Sequence, residues 1–236
     1  MRDSLAPVIF ARGGSKGVPK KNLTLLDGRS LLHRTIEQAV GLGFDEVFVS
    51  TDSEEIAEEA RKSGAIVPFI RPAELATDTS PEWLAWKHFC SYLEEQRPGK
   101  FSHLLVLPTT APLRLEEDIV GVMSLISSGE WDLVVTLSPA HRHPQFNMVR
   151  QGVDGSVNLY DRPTETLSRR QDVEPVYDLT TVAYGATIDF VVKADDMWEG
   201  RTTGVVIPRE SALDIDSPLD MEVAEFLLKR RASGGR

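Results

Sequence analysis

The segment Ala11-Arg12-Gly13-Gly14-Ser15-Lys16-Gly17-Val18-Pro19-Lys20-Lys21-Asn22 places four cations, Arg12, Lys16, Lys20 and Lys21, among three glycines. Glycine lets the backbone bend tightly and turn several N–H groups toward one anion. A guanidinium grips phosphate oxygens in a forked geometry, whereas a lysine acts as a point charge. The stretch directly follows Ala6-Pro7-Val8-Ile9-Phe10-Ala11, an apolar run that reads as a buried strand. A cationic turn in that position suits a phosphate group. The turn is not a Walker loop, because Gly17 is followed by Val18, and the G-x-G-x-x-G spacing is also absent. A solvated basic turn is the plainer alternative.

A second group stands late in the chain. In Asp214-Ile215-Asp216 the two carboxylates alternate on what reads as an extended segment, so they face the same way and could reach one divalent cation. Capping and solvation at the last helix compete with that reading, and for Asp220 the cap is preferred. His141 and His143 lack a carboxylate partner at a metal-ligand spacing and read as surface-loop residues or acceptor contacts.

These groups need a scaffold. The chain has 236 residues, with 26 Lys plus Arg against 36 Asp plus Glu, a formal net charge of −10. That balance argues against nucleic acid as the main partner but leaves room for a small anion in a local positive pocket. No uncharged apolar run is long enough for a bilayer. The one cysteine, Cys90, forms no intrachain disulfide and reads as core, in keeping with a reducing cytoplasm. Short β-branched runs at 46–50, 65–70, 104–107, 133–137, 180–186 and 204–208 alternate with helical periodicity at 30–42, 54–63, 81–96, 116–128 and 218–231. Ser30 and Ser53 read as N-caps. In the last helix Leu219, Val223, Phe226 and Leu227 are expected to face inward. Trp83, Trp86, Trp131 and Trp198 read as core or interface residues. The alternation predicts an α/β fold with a mostly parallel sheet, whose ligands sit at the carboxyl ends of the strands. Residues 139–178, rich in Pro, Arg, Asp and Gln, break the pattern and read as an insert with hairpin character.

Taken together, the motifs resemble the sialic-acid-type cytidylyltransferases. Ala11-Arg12-x-x-Ser15-Lys16-Gly17-x-Pro19-x-Lys21-Asn22 is similar to that family's signature. So are Ser50-Thr51-Asp52 with Ile56-Ala57, Arg71-Pro72-Ala73-Glu74-Leu75-Ala76-x-Asp78-Thr79, Pro112-Leu113-Arg114, and Asp214-Ile215-Asp216-x-Pro218-Leu219-Asp220, all in the family's order. The resemblance implies one Rossmann-like domain of the nucleotide-sugar transferase type over residues 1–236, with 139–178 as a projecting β-rich dimerisation insert of a homodimer. It implies CTP as co-substrate, Mg²⁺ as cofactor and a small acidic keto-sugar as acceptor. Nucleotide contacts would fall to Ala11, Arg12, Gly13, Ser15, Lys16, Lys21, Asn22 and Arg71, with Asn22 and Arg71 toward the cytidine. Arg12, Lys21 and Asp216 would be catalytic, and Asp214 and Asp216 would hold the metal. Acceptor contacts would fall to Arg170, Tyr184, Thr109 and Thr180. Asp52 is expected to order the loop after the second strand.

The acceptor half departs from the sialic acid enzymes. Pro108 stands where the family has a sugar-facing glutamine, and Asp178-Leu179-Thr180-Thr181-Val182-Ala183-Tyr184 replaces a run with an arginine and an asparagine, keeping only the tyrosine. Phe146 stands in place of a lysine in the insert, and Ser80-Pro81-Glu82 replaces the neighbourhood of a serine near the base. The expected acceptor is therefore another nonulosonic acid, legionaminic, pseudaminic or deaminated, or something further away. Two other readings stay open: a nucleotidyltransferase with a different base or a sugar-phosphate acceptor, and a non-catalytic nucleotide-binding module.

Overall fold

A computed structural model describes residues 2–15, 17–162 and 173–234. Its centre is a six-stranded sheet of β1 (Leu5–Phe10), β4 (Phe48–Ser50), β5 (His103–Val106), β6 (Leu133–Pro139), β9 (Tyr177–Thr187) and β10 (Thr202–Val206), in the order β10-β6-β9-β5-β1-β4. A separate two-stranded ladder pairs β2 (Leu25–Leu26) with β3 (Arg29–Ser30). β1 runs parallel to both β4 and β5, and β10 parallel to β6, while β9 is antiparallel to its two neighbours. The expected mixed α/β architecture with a mostly parallel sheet is what forms.

The reason lies in the alternation along the strands. Leu5 and Ile9 face a core shared with α1 (Leu31–Gly41), α2 (Glu54–Lys62) and α4 (Glu116–Ile126), while Ala6 and Val8 face a second core under α3 (Glu82–Gln96) and α5 (Ile188–Lys193). Both faces of β1 are covered, so that strand is apolar throughout. Ser30 and Ser53 accept from the N–H groups of His33 and Ile56, the expected caps of α1 and α2. Cys90, Trp83 and Trp86 are buried on the inner face of α3. Among the described residues no helix is long and apolar enough to cross a membrane.

Three expectations about the elements need correction. Residues 65–70 make only two isolated bridges to the β4 region, Phe48 to Ile66 and Thr51 to Ile70. Pro68 has no N–H to donate to a ladder there. α5 follows β9 at once, capped by the Thr187 side chain, where the sequence reading placed no helix. The C-terminal helix α6 (Pro218–Ala232) is rotated from its expected phase: Ala224 is buried with Met221 and Leu228 packed beside it, while Leu219, Val223 and Phe226 are exposed. The sequence offers two apolar stripes at helical spacing. The box formed by Ser217 and Asp220 fixes where the helix starts, and the second stripe meets Val18, Leu26 and Leu31.

The 139–178 segment does contain a hairpin, β7 (Val149–Gln151) with β8 (Val157–Leu159). His143 is not a surface residue. It is buried, its Nε2 lies 3.0 Å from the Glu174 carbonyl, and its Nδ1 accepts from the Gln145 N–H at 3.1 Å. The ring pins the two ends of the insert together.

Arg114 is a deeply buried cation of the fold. Its guanidinium donates to the carbonyls of Ala111 (3.0 Å), Val182 (2.7 Å) and Pro108, and burial lowers its affinity for the proton while Asp118 partly restores it. The 108–114 loop is therefore wrapped around one side chain. Replacing it, as in Arg114→Met, strands three carbonyls in the core. We expect a loss of about 2–4 kcal/mol, read from the urea midpoint at unchanged slope.

Candidate active site

The carboxyl ends of β1, β4 and β5 release three loops toward a common region. The first begins at Ala11, whose N–H is held by the Ser50 carbonyl at 3.0 Å. Ser15 Oγ donates to the Val18 carbonyl and accepts from the Lys21 N–H at 3.4 Å, closing the turn on itself. Lys16 lies outside the described residues. Lys20 adopts a left-handed backbone (φ 52°), and the lysines on either side of the kink diverge. Lys20 turns away to Glu55 at 2.7 Å. Lys21 turns toward the acidic segment, with Nζ 3.0 Å from Asp216 Oδ1 and 2.6 Å from the Ile215 carbonyl. Of the four cations counted in the sequence, Lys20 belongs to the surface.

The acidic segment is thus brought against the cationic turn. Contact extends to the backbone, since a Cβ at Gly17 would overlap the Asp216 carbonyl oxygen. Asp216 keeps 75% of its side chain exposed beside Lys21. Asp214 is different: its Oδ1 is buried and has no hydrogen-bond partner among the described residues. Asp220 takes the capping role expected of it, accepting from the N–H of Ser217 at 2.7 Å and of Asp216 at 3.1 Å. The Ser217 hydroxyl beside it holds its carboxyl below the usual range, against a small burial penalty.

Arg12 reaches the opposite wall. Its guanidinium lies 3.2 Å from Asp78 Oδ1 and 3.2 Å from the Thr77 carbonyl. Arg71 lies on the same wall, tethered by its N–H to the Thr51 carbonyl at 2.7 Å and only 4% exposed. Its Nε has no hydrogen-bond partner among the described residues. Burial weakens its hold on the proton, and the nearby Asp52 charge strengthens it.

Asp52 does more than order its own loop. Oδ1 accepts from the Gly13 N–H at 2.8 Å and lies 3.9 Å from Arg71, so one carboxylate braces the phosphate turn and the Arg71 wall together. A second brace comes from the 108–114 loop. Thr109 Oγ1 donates to Asn22 Oδ1 at 2.6 Å, and Asn22 Nδ2 donates to the Arg12 carbonyl at 2.9 Å. Both residues are buried, and these bonds set the shape of the turn. The Thr110 carbonyl receives the Ile215 N–H at 2.8 Å.

The acceptor-side residues are less closely grouped. Thr180 is buried in the sheet, where its Oγ1 donates to Thr136 Oγ1 at 2.7 Å beside the register shift of β6 on β9. Tyr184 lies edge-on to Trp86 (5.7 Å), and its hydroxyl is held protonated first by burial and then by the charges of Glu82 and Asp214. Arg170 lies outside the described residues. The sequence reading missed Asp52 as a brace of the first loop. The Ser50-Thr51-Asp52 block was a visible signal, but its partner Gly13 lies 39 residues away.

Among the described residues no group of three or more His, Cys, Asp or Glu side chains could hold a metal ion by itself. Two carboxylates are nonetheless a fitting donor set for Mg²⁺, which keeps water or phosphate oxygens in its remaining positions. The partnerless Asp214 oxygen is where such an ion would be satisfied.

Residues 6–123 match the cytidylyltransferase family. The post-translational flagellin modification protein B of Campylobacter coli is 36% identical over 225 residues, covering 94% of each chain. The CMP-N,N'-diacetyllegionaminic acid synthase of Campylobacter jejuni is 34% identical over 222 residues, covering 93% of each. A solved CMP:2-keto-3-deoxy-manno-octonic acid synthetase complexed with CTP shares the fold, with a TM-score of 0.68 at 15% identity, over 96% of this chain and 99% of that one. With the cationic turn, the acidic segment and the parallel sheet in this order, the chain belongs to the sialic-acid-type cytidylyltransferase family and is a CTP-dependent nucleotidyltransferase.

Proposed function

We propose that the chain transfers CMP from CTP to the anomeric hydroxyl of a nonulosonic acid of the legionaminic type, with release of pyrophosphate. The observation that carries this reading is the meeting of Lys21 with Asp216 at 3.0 Å, which joins a phosphate-binding turn to a carboxylate pair in one cleft. The likeness to a legionaminic acid synthase over most of the chain supports the acceptor class, as do the Pro108 and Thr180 departures from the sialic acid pattern.

In this reading a triphosphate brings about four negative charges, and the protein's work is positioning and neutralisation. Arg12 leaves Asp78 to bind the α-phosphate, where charge develops as the sugar hydroxyl attacks the phosphorus. Lys21 leaves Asp216 for the outer phosphates, joined by Lys16, and steadies the departing pyrophosphate. Ala11, Gly13 and Ser15 line the turn, whose curvature Asn22 holds. Asp214 and Asp216 would hold a Mg²⁺ ion, which supplies charge neutralisation to the phosphates when bound. Tyr184, kept protonated, offers a hydroxyl to the acceptor, with Arg170 as its further contact.

The whole chain acts in this proposal as one nucleotidyltransferase domain with the 139–178 arm as its dimerisation element. Exposed Phe146, Met148, Val149, Val157 and Tyr160 on that arm support a homodimer. The lone buried Cys90 suits a cytoplasmic enzyme.

A pyrophosphate-release assay across nucleotides and keto-sugar acids tests the reading. Turnover is expected with CTP, Mg²⁺ and a legionaminic-type acid; CTP binding without release on any nonulosonic acid would remove the acceptor assignment. Asp216→Ala is expected to lose at least about a hundredfold in turnover while keeping the wild-type circular dichroism, and unchanged turnover would take Asp216 out of the mechanism. Gly17→Ala forces the turn away from the Asp216 backbone. It is expected to lose about tenfold or more in kcat/KM, and wild-type kinetics would show that the two segments need not touch.

A further inference from the structure

β9 leaves its neighbours where the site begins. On the β6 side the pair Val134–Gly185 is followed by the pair Thr136–Thr180, so the single residue Val135 stands opposite residues 181–184. On the β5 side the pairing runs from His103–Thr187 to Val106–Tyr184. Residues 181–183 therefore arch out of the ladder at the carboxyl end of β5, where the 108–114 loop is released. Irregularities of this kind recur beside active sites, where they redirect a strand.

A strand that leaves its ladder must find other partners for its N–H and C=O groups. One side chain supplies them at the neck of the arch. Thr136 is wholly buried in β6, and its hydroxyl meets both feet. It accepts from Thr180 Oγ1 at 2.7 Å and from the Ala183 N–H at 3.3 Å. It donates toward the carbonyls of Ala183 (3.2 Å) and Thr180 (3.4 Å), which share its proton. A hydroxyl has one proton and two lone pairs, so this one is fully used.

The crown of the arch carries the 108–114 loop. The Val182 carbonyl accepts from Arg114 Nη1 at 2.7 Å, and Thr110 Oγ1 donates to Thr181 Oγ1 at 3.4 Å. Val182 also packs with Ala111 and Ile207 in one buried cluster. The same loop reaches Asn22 through Thr109 and the Ile215 N–H through the Thr110 carbonyl, one on each half of the site.

We propose that Thr136 is a positioning residue for nucleotide binding: by closing the neck of the β9 arch, its hydroxyl holds the 108–114 loop and, through it, sets the cationic turn and the acidic segment at the spacing of one triphosphate. Being wholly buried, it acts through the loop and not on the nucleotide. The inference rests on the proposed reading of that cleft and is independent of the acceptor's identity.

The test is calorimetric titration of CTP, with Mg²⁺ and without acceptor, into wild type, Thr136→Val, Thr136→Ser and Thr180→Val, with circular dichroism and thermal unfolding to verify the fold. Valine keeps the β-branched shape and lacks the hydroxyl, whereas serine keeps the hydroxyl. Thr136→Val is expected to weaken CTP binding by about tenfold, and Thr136→Ser to stay within about twofold of wild type. Thr180→Val removes one bond of the clasp and is expected to weaken binding by about threefold. Val191→Ala opens a cavity in the core under α5 and controls for lost stability alone: it lowers the unfolding temperature and keeps wild-type affinity. Wild-type affinity in folded Thr136→Val, equal losses in the valine and serine variants, or a loss of the same size in Val191→Ala overturns the inference. If Thr136→Val does not fold, Thr180→Val decides, and unchanged CTP affinity there overturns it. A wild type that binds no CTP removes the cleft reading itself, and this inference with it.

Discussion

Everything in the site hangs on one buried guanidinium. Arg114 gathers the carbonyls of Pro108, Ala111 and Val182 and so sets the course of the loop after β5. Consecutive residues of that loop then hold the two halves of the site. Thr109 reaches Asn22 and, through it, the carbonyl of Arg12; Thr110 receives the Ile215 N–H between Asp214 and Asp216. Residues 195 apart in sequence, Lys21 and Asp216, meet because one loop is rigid at both of those points. An arginine suits this task, since its planar fork satisfies several carbonyls at once and it does not lose its charge.

The electrostatics follow from the same arrangement. An acidic protein holds a cationic turn without a ligand by pairing it internally: Arg12 with Asp78, Lys21 with Asp216, Arg71 near Asp52. The Arg12–Asp78 and Lys21–Asp216 pairs are partly exposed and contribute little to stability, so exchanging them for phosphate oxygens costs little. The pairing keeps the side chains extended toward the place where the triphosphate is needed. Asp52 and Asn22 instead grip the backbone of the turn, and they fix its curvature whether or not the cations move.

Much of this could be read from residue order. The alternation of β-branched runs and amphipathic segments sufficed for the six strands of the sheet and five of the helices, because β1 and β4 are covered on both faces and α1 to α4 each keep one apolar stripe. The cationic turn was visible because four charges in a glycine-rich stretch are rare in an acidic chain. What escaped was the set of long-range contacts. Lys20 and Lys21 are adjacent and chemically alike, and only the left-handed kink at Lys20 sends them apart. Asn22 and Thr109 looked like ligand contacts because polar side chains near a site invite that reading, yet their bonds to each other appear only once β5 lies beside β1. The phase of α6 was ambiguous because two stripes fit the same period, and its cap chose between them.

The central statement is that the turn after β1 and the carboxylates before α6 enclose one triphosphate. A crystal structure with a non-hydrolysable CTP analogue and Mn²⁺ decides it, because the metal's anomalous signal and the phosphates are located together. Arg12 and Lys21 are expected on the phosphate oxygens, both released from their carboxylate partners, with the Mn²⁺ peak between Asp214 and Asp216 and the same triphosphate. A nucleotide bound away from the turn, or a metal peak far from that aspartate pair, would contradict it.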